Sequence, residues 1–462
     1  MSHKDFPWAA GLTMLIAGTS LSCKSAAPSY HIMPPQTYTK PAAAISNSAP
    51  VHPLLQQSRP LIFPSLYTGI VCSILFTSGG KQIVFNYGED GAVSAVNLVT
   101  GRLNWQAHVT GYNARPMLQI PGGREIVIPT VDPDSVTPIA VCTIHGKLVK
   151  IVPGYDPDGE GIARLTPTGR YLVTMGYRRQ ARSTAMVRHV TEVWSTRTWL
   201  LTDRRRSKPI SLDAMYSQGS DHPAIPAISP MGKILPHTPI LPITPLSIKD
   251  GYPAGNWWRK TAEPMQDEFT GRFGRLFAQV RGDHNSRGEV IVWDLIQHKK
   301  IWTAKLTDGG PLTGVISPNG HELAVAGIGK SITFFDLKTG RLLEKTPCAT
   351  DALRCLVYSP NGLVLAAGGG IYKTGDGVIL LNAATHKRIA SLRVAFDNKY
   401  DDRMWIRTHP RWYTQLADGS FTASAGILPK IATLDKSRLA EYLKRYNQPG
   451  RVKAALKLCW GK

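Results

Sequence analysis

The chain is poor in acidic residues and in cysteine, and each shortage restricts its chemistry. Of 462 residues, 32 are Asp or Glu and 54 are Lys or Arg, giving a net charge of +22. A chain this basic favours anionic partners such as lipid headgroups, acidic glycans or acidic proteins. None of the six cysteines forms a Cys-x-x-Cys pair or the paired Cys/His spacing of a zinc site. No Gly-x-Ser-x-Gly elbow occurs, which argues against a hydrolase of that kind. We therefore expect no metal and no cofactor.

What the chain does contain is a repeat. Ser317-Pro318-Asn319-Gly320 recurs 42 residues later as Ser359-Pro360-Asn361-Gly362, each time followed by a short apolar run. Further turn glycines that precede apolar runs are Gly80, Gly123, Gly169, Gly274 and Gly419. Glycine suits such turns because it reaches positive φ without a Cβ clash. A period of about 40–45 residues with short strands is typical of propeller blades.

A second turn recurs later in each unit. It follows a strand that ends in Asp or Asn, as at Asn97, Asp294, Asp336 and, more loosely, Asn382. The Asx side chain is expected to accept hydrogen bonds from turn amides two residues on. Two hairpins per unit give four strands per unit, which is one blade.

At these residues the chain resembles the WD-repeat family, and Val290 to Leu295 contains a literal Trp293-Asp294 pair. Residues 100–105 are also similar to the blades of quinoprotein-like propellers, and one sequence does not separate the two. The resemblance covers about residues 60–434 and is clearest in 270–395. It implies an all-β fold: a β-propeller over residues 59–434 with about seven four-stranded blades, eight being the alternative.

The interval between Gly169 and Gly274 is the irregular part. It holds either one degenerate blade or a large insertion. Residues 204–268 are rich in proline, which strand interiors exclude, so most of this segment is expected to be loop. Its ends carry the densest basic run, Arg204-Arg205-Arg206, and the pair Trp257-Trp258. We take these five residues as candidate partner-binding residues, against the alternatives of a diffusely basic surface and a loop packed on the propeller rim.

The N-terminal pattern predicts export. Residues 1–23 have the order of a signal peptide, with an apolar stretch from Trp8 to Leu21 that is too short to span a bilayer. Ser20-Leu21-Ser22-Cys23 resembles a bacterial lipobox, in which the cysteine is lipidated; an incidental Cys23 is the alternative. Residues 24–58 are rich in Ser, Ala and Pro, as in a flexible tether. These features predict a periplasmic protein, membrane-anchored if Cys23 is modified.

Two further predictions concern cysteine and the C-terminal tail. Cys348 and Cys355 bracket a short loop between blades and are candidates for a disulfide in an oxidising compartment. The tail, residues 435–462, is expected to form a helix over 435–446, a break at 447–450 and a second helix over 452–459. We expect this tail to clasp the edge of the propeller.

The function that fits best is a non-enzymatic, monomeric protein-interaction scaffold of the bacterial cell envelope. Residues 324–331 imitate a phosphate-binding loop, but a β-branched strand follows where a helix is required, so a hairpin turn is expected. The alternatives are a glycan- or polyanion-binding lectin-like propeller and a propeller enzyme such as a quinone-dependent dehydrogenase or lyase. Export makes nucleic acid an unexpected partner, whereas an anionic lipid or glycan surface fits the charge.

Overall fold

In the computed structural model, the described residues all belong to one compact unit, Ser58–Lys462. They are residues 70–87, 91–108, 117–129, 137–155, 162–166, 168–180, 183–211, 231–234, 267–273, 275–282, 288–294, 296–297, 299–306, 310–348, 352–370, 377–395, 411–425 and 443–460. The predicted signal peptide, the tether, Cys23, Trp257 and Trp258 lie outside these residues.

The described chain is mostly β and forms six antiparallel sheets that follow one another in sequence. Sheet 1 contains β1 (Val71–Phe76), β2 (Gln82–Tyr87), β3 (Ala92–Asn97) and β4 (Arg102–His108). Sheet 2 contains β5 (Leu118–Gln119), β6 (Glu125–Pro129), β7 (Thr137–Thr143) and β8 (Leu148–Tyr155). Sheet 3 contains β9 (Ile162–Leu165), β10 (Tyr171–Gln180), β11 (Ser183–Ser195), β12 (Leu201–Arg206) and β13 (Ile210–Ser211).

The second half of the chain continues the series. Sheet 4 contains β14 (Asp267–Phe273), β15 (Leu276–Gly282), β16 (Gly288–Asp294) and β17 (Lys299–Leu306). Sheet 5 contains β18 (Pro311–Ile316), β19 (Glu322–Gly327), β20 (Ser331–Asp336) and β21 (Leu342–Pro347). Sheet 6 contains β22 (Leu353–Tyr358), β23 (Val364–Gly369), β24 (Val378–Asn382), β25 (Arg388–Ala395), β26 (Arg411–Leu416) and β27 (Phe421–Ala423).

Each sheet is built from consecutive strands in the order of the chain, with β13 as an extra partner of β11. The phosphate-loop imitation at residues 324–331 joins β19 to β20 as an antiparallel hairpin, which confirms the turn prediction. The repeat at Gly419 does not open a sheet of its own. It joins β26 to β27, and both strands extend sheet 6 through β25.

Neighbouring sheets pack face to face, which explains why their central strands are apolar on both faces. All six residues of β2 and of β23 are buried. Hydrophobic clusters join sheet 1 to sheet 2, sheet 2 to sheet 3, sheet 4 to sheet 5 and sheet 5 to sheet 6. A further cluster joins sheet 6 back to sheet 1. The first strands of sheets 4, 5, 6 and 1 also contact one another in that order.

At three of these junctions, a tryptophan forms the same kind of hydrogen bond between neighbouring sheets. Its indole N–H donates to the backbone carbonyl that follows the third strand of a neighbouring sheet. The pairs are Trp105 Nε1–Ile144 O (2.8 Å), Trp302 Nε1–Leu337 O (2.9 Å) and Trp460 Nε1–Leu98 O (3.1 Å). Trp105 and Trp302 lie in the fourth strand of the preceding sheet, whereas Trp460 comes from the C-terminal tail. The ring of Trp302 packs so close to Gly340 (φ +72°) that a Cβ there would lie 2.6 Å away.

The tail forms the helix α1 (Pro449–Leu456) and a 3-10 turn over Lys457–Cys459. Residues 443–446 are also helical, and the helical conformation is interrupted between the two segments at Asn447 and Gln448. Val452, Leu456 and Cys459 are fully buried in the cluster between sheets 6 and 1. Burial raises the pKa of Cys459 to about 12, so its thiol stays protonated and acts as a small apolar group.

The turns after the third strands follow the predicted Asx pattern. Oδ1 of Asp336 accepts from the amides of Lys338 (3.1 Å) and Thr339 (2.8 Å). The same pair of bonds forms at Asn97, Asp294 and Asn382. Hydrogen bonds from the Thr339 hydroxyl and amide lower the pKa of the Asp336 carboxyl, and the bond from the Gln297 amide lowers that of Asp294. The sequence prediction for these turns is confirmed.

Acid at and below pH 3.8, the unfolded pKa, is expected to weaken the fold through these two turns. A carboxyl whose pKa is lower in the folded state stabilises it above the unfolded pKa of 3.8, and that stabilisation is lost as the pH falls through the folded pKa. Urea denaturation between pH 6 and pH 2 measures the loss. The double variant Asp294→Asn/Asp336→Asn keeps a side-chain oxygen that accepts from the turn amides but does not titrate. Its free energy of unfolding should fall less steeply with pH than that of the wild-type chain. An equal slope for both would contradict this origin.

Candidate functional site

The predicted basic run Arg204-Arg205-Arg206 lies at the end of β12, and the strand divides it between two faces. Arg204 is paired opposite Glu192, and Arg206 is paired opposite Val190. Arg205 is paired opposite Thr191 and points to the other side, because side chains alternate along a strand. All three arginines are exposed. The other two predicted partner-binding residues, Trp257 and Trp258, lie outside the described residues.

Glu192 is the centre of the face that carries Arg204 and Arg206. Its side chain is 0% exposed. Oε1 and Oε2 accept from Arg178 Nη1 (3.0 Å) and Nη2 (2.7 Å), and Oε1 also accepts from Arg204 Nε at 2.7 Å. A planar guanidinium that donates two parallel bonds to a carboxylate is among the stronger polar pairs in proteins. Both arginines keep part of their surface in solvent, 23% for Arg178 and 33% for Arg204.

The same face carries one more arginine. Arg188 is paired directly opposite Arg178 in the β10–β11 register, and it lies four residues before Glu192, so it shares that face. Its Nε atom is buried and has no hydrogen-bond partner. We call Arg178, Arg188, Arg204 and Arg206 the arginine cluster. Glu192 is the carboxylate that the described residues supply to it.

The β10–β11 hairpin that carries the cluster is the longest in the described chain. β10 has 10 residues and β11 has 13, whereas the second and third strands of the other five sheets have five to seven. At about 3.3 Å per residue, three extra residues extend the hairpin by roughly 10 Å. On its other face, His189 packs edge-on against Tyr177 at 5.4 Å. Burial lowers the pKa of His189, so this imidazole is neutral at pH 7 and adds no charge.

A second polar cluster lies between sheets 5 and 6. The two ring nitrogens of His386 contact Glu344 Oε2 (2.7 Å) and Glu322 Oε2 (2.8 Å), and the hydroxyl of Tyr358 donates to Glu322 Oε1. The His386 ring is stacked on Phe334 with centroids 3.7 Å apart. Both nitrogens and the hydroxyl are therefore engaged inside the protein, and the cluster links the two sheets. His386 itself lies in the turn between β24 and β25, with φ +52°, and local sequence patterns do not indicate this network.

The predicted disulfide between Cys348 and Cys355 is not formed, because the two side chains belong to different junctions. Both residues are thiols. Cys348 Sγ lies 3.9 Å from the carbonyl of Thr346, at the end of the outer strand of sheet 5. Cys355 Sγ lies 3.6 Å from the carbonyl of Val71, across the contact between sheets 6 and 1. Burial raises the pKa of the Cys355 thiol well above its usual range, which keeps it unreactive.

Within the described ranges, no group of three or more His, Cys, Asp or Glu side chains is placed to hold a metal ion. Over the same part of the chain, no helix has the length and apolar character needed to cross a bilayer. Sequence comparison adds no relative: the chain matches no protein-family model and no curated protein. The site must therefore be interpreted from its own geometry.

Proposed function

We propose that the chain is a non-enzymatic protein-interaction scaffold of the bacterial cell envelope, built on a β-propeller. The observation that carries the proposal is the arginine cluster. It places four guanidinium groups and one carboxylate on a single face of the most extended hairpin. Clusters of partly exposed arginine are enriched where proteins bind partners, since the planar group forms both apolar and bidentate polar contacts.

The packing order of the sheets supports the propeller. Six sheets of antiparallel strands pack face to face in chain order, and sheet 6 packs on sheet 1. In a closed ring each blade has two neighbours, and the last blade covers the first. The contacts among the first strands of sheets 4, 5, 6 and 1 suit strands that line a central axis.

A short stretch between sheets 3 and 4 supports a seventh blade. Ser229-Pro230-Met231-Gly232 repeats the Ser-Pro-x-Gly turn, and Gly232 lies 42 residues before Gly274. Gly232 has φ +76°, and a Cβ there would lie 2.4 Å from the ring of Tyr171 in sheet 3. A Cβ at Gly123 or Gly169 would likewise lie 2.1 Å from a residue of the preceding sheet, and one at Gly362 would lie 3.6 Å from Pro318. This contact supports a blade in the irregular interval over an insertion alone.

A binding role fits the two polar clusters better than catalysis does. A catalytic acid or base must keep an atom within hydrogen-bond reach of its substrate. At the His386 cluster, both ring nitrogens and the Tyr358 hydroxyl are bonded to Glu322 or Glu344. At the arginine cluster the chemistry is electrostatic, since guanidinium groups stay protonated and neither give nor take protons near pH 7.

Lipidation at Cys23 is the proposed means of retention in the envelope. The order of apolar stretch, Ser20 to Cys23 and tether supports an anchored domain with freedom to reach its partner. In a bacterial host, Cys23→Ala is expected to move the full-length chain from the membrane fraction to the soluble fraction, because the acyl chains have no attachment site. Fractionation followed by cross-linking and mass spectrometry measures both the location and the partner.

Ser22→Ala is the matched control, since it changes a neighbouring small residue and keeps the thiol. It should stay in the membrane fraction. Wild-type protein recovered from the cytosol would overturn the envelope location, and cross-linking that captures no protein at the membrane would overturn the scaffold function.

A further inference from the structure

We propose that the arginine cluster is a docking site for a carboxylate-rich segment of a partner protein. The proposal rests on the scaffold function above and specifies the chemistry of the partner. Four guanidinium groups, from Arg178, Arg188, Arg204 and Arg206, share one face with the carboxylate of Glu192. The face therefore carries an excess charge of about +3, since arginine is always protonated.

The register of the hairpin makes this excess positive charge destabilising for the folded chain when no partner is bound. Arg178 and Arg188 are directly opposite in an antiparallel pair, where Cβ atoms are about 4.5–5.5 Å apart and like charges destabilise the sheet. The bidentate bond to Glu192 compensates Arg178. Arg188 has no such compensation, and its buried Nε has no hydrogen-bond partner. Departures from local rules of this kind are expected at functional or strained sites.

Glu192 shows which ligand the cluster accepts. Its carboxylate lies between guanidinium groups of two strands, Arg178 on β10 and Arg204 on β12. Two residues before Glu192 on β11, Val190 supplies no charge; Arg206 is paired opposite it on β12, and Arg188 precedes it by two residues on the same strand. A carboxylate from outside would bind Arg188 and Arg206 there.

The buried apolar residue next to Arg188 and Arg206 strengthens the interaction. Val190 is 3% exposed and packs with Trp194 in the core between sheets 2 and 3. A charge pair on an apolar floor is less screened than one in open water. An acidic segment with carboxylates on alternate residues would follow the two-residue spacing of the arginines.

The test uses purified, folded full-length protein and fluorescein-labelled octaglutamate, with octaglutamine as the uncharged probe. Fluorescence anisotropy at about 0.15 M salt, where the Debye length is about 8 Å, measures the affinity. The wild-type protein should bind octaglutamate and not octaglutamine. Arg188→Gln/Arg206→Gln should bind at least about tenfold more weakly, equivalent to about 1.4 kcal/mol.

Arg205→Gln is the control for the single variant Arg206→Gln, because each removes one positive charge from β12 and the two side chains lie on opposite faces. It should bind within about twofold of wild type, since at that distance salt screens most of its effect. Equal losses in both variants would show attraction by net charge alone and overturn the site. The melting temperature of Arg188→Gln should be unchanged or higher, because a repulsion is removed; a fall would assign Arg188 a structural role instead.

Two more measurements separate the other occupants. Residues 156–160 of this chain include Asp156, Asp158 and Glu160, and they follow Pro153, whose carbonyl accepts from Arg178 at 3.2 Å. The first measurement changes Asp156, Asp158 and Glu160 to Asn, Asn and Gln. If octaglutamate binds only after this change, the chain fills its own site. The second measurement uses phosphatidylglycerol vesicles. If the wild-type protein binds them but not octaglutamate, and Arg188→Gln/Arg206→Gln weakens that binding, the site belongs to a lipid surface.

The cross-linking experiment distinguishes failure of this inference from failure of the scaffold function. A partner captured equally by wild type and by Arg188→Gln/Arg206→Gln would leave the scaffold function standing and overturn the docking site. A partner captured by wild type and lost in the double variant would support both.

Discussion

Deletion of residues 448–462 is expected to destabilise the domain by about 6 kcal/mol, the largest effect among the changes considered. The deletion removes three fully buried side chains, Val452, Leu456 and Cys459, from the core shared by sheets 6 and 1. Each is worth about 2 kcal/mol by the area it buries. It also removes the bond from Trp460 Nε1 to Leu98 O. Since a domain is stable by only 5–15 kcal/mol, chemical denaturation should show a much earlier transition or no folded baseline.

Lys453→Ala is the control for this prediction, because Lys453 lies on the exposed side of α1 between the buried positions. Its free energy of unfolding should change by less than about 0.5 kcal/mol. Leu456→Ala is the intermediate case and should lose about 2–5 kcal/mol, as buried leucines do. If the deleted chain unfolds at the same denaturant concentration as the full one, the tail is not part of the core.

Replacing Glu192 with alanine is expected to lower the free energy of unfolding by about 3–5 kcal/mol. The change leaves the guanidinium groups of Arg178 and Arg204 without their shared carboxylate on a partly buried face, together with Arg188. Urea denaturation measures the effect. The expected loss exceeds that of a surface ion pair, for which the typical value is about 0–1 kcal/mol.

The double variant Arg178→Met/Glu192→Leu tests the physical cause. Replacing both members of a buried pair with apolar residues removes the desolvation cost along with the attraction, so much of the lost stability should return. Arg205→Ala, on the opposite face of β12, should leave stability unchanged within about 0.5 kcal/mol. A double variant as unstable as Glu192→Ala would show that the loss does not come from the uncompensated charge of Arg178, because Arg204 loses its carboxylate in both variants.

Local patterns in the sequence predicted the β structure and its turns well. The Asx residues at Asn97, Asp294 and Asp336 accept the expected amides because a turn depends on neighbours within three residues. The Ser-Pro-x-Gly turn at Gly232 was missed because Met231 replaces the Asn of the other copies. The turn glycine Gly419 was found, and the structure shows that its hairpin extends sheet 6 through β25. Whether a hairpin starts a sheet or extends one depends on long-range pairing.

The site was less accessible to sequence reasoning for the same reason. Arg204, Arg205 and Arg206 were predicted as one group, but strand alternation places Arg205 on the other face. The nearness of Arg188 to Arg178 and of Glu192 to Arg204 depends on the register of three strands, which no local spacing reports. The Cys348–Cys355 pairing was wrong because Cys348 follows the last strand of sheet 5 and Cys355 lies in the first strand of sheet 6, and the two thiols face different neighbours.

The contact between Trp460 and Leu98 also has a consequence for biosynthesis. The two residues are 362 positions apart in the chain. At about 5–20 residues per second, a ribosome needs roughly 20–70 seconds to make the intervening segment. Sheet 1 therefore emerges well before the residues that complete its packing, with apolar surface uncovered in between. Exposed strands of this kind are prone to aggregation, so the nascent chain is expected to depend on a chaperone until the tail arrives.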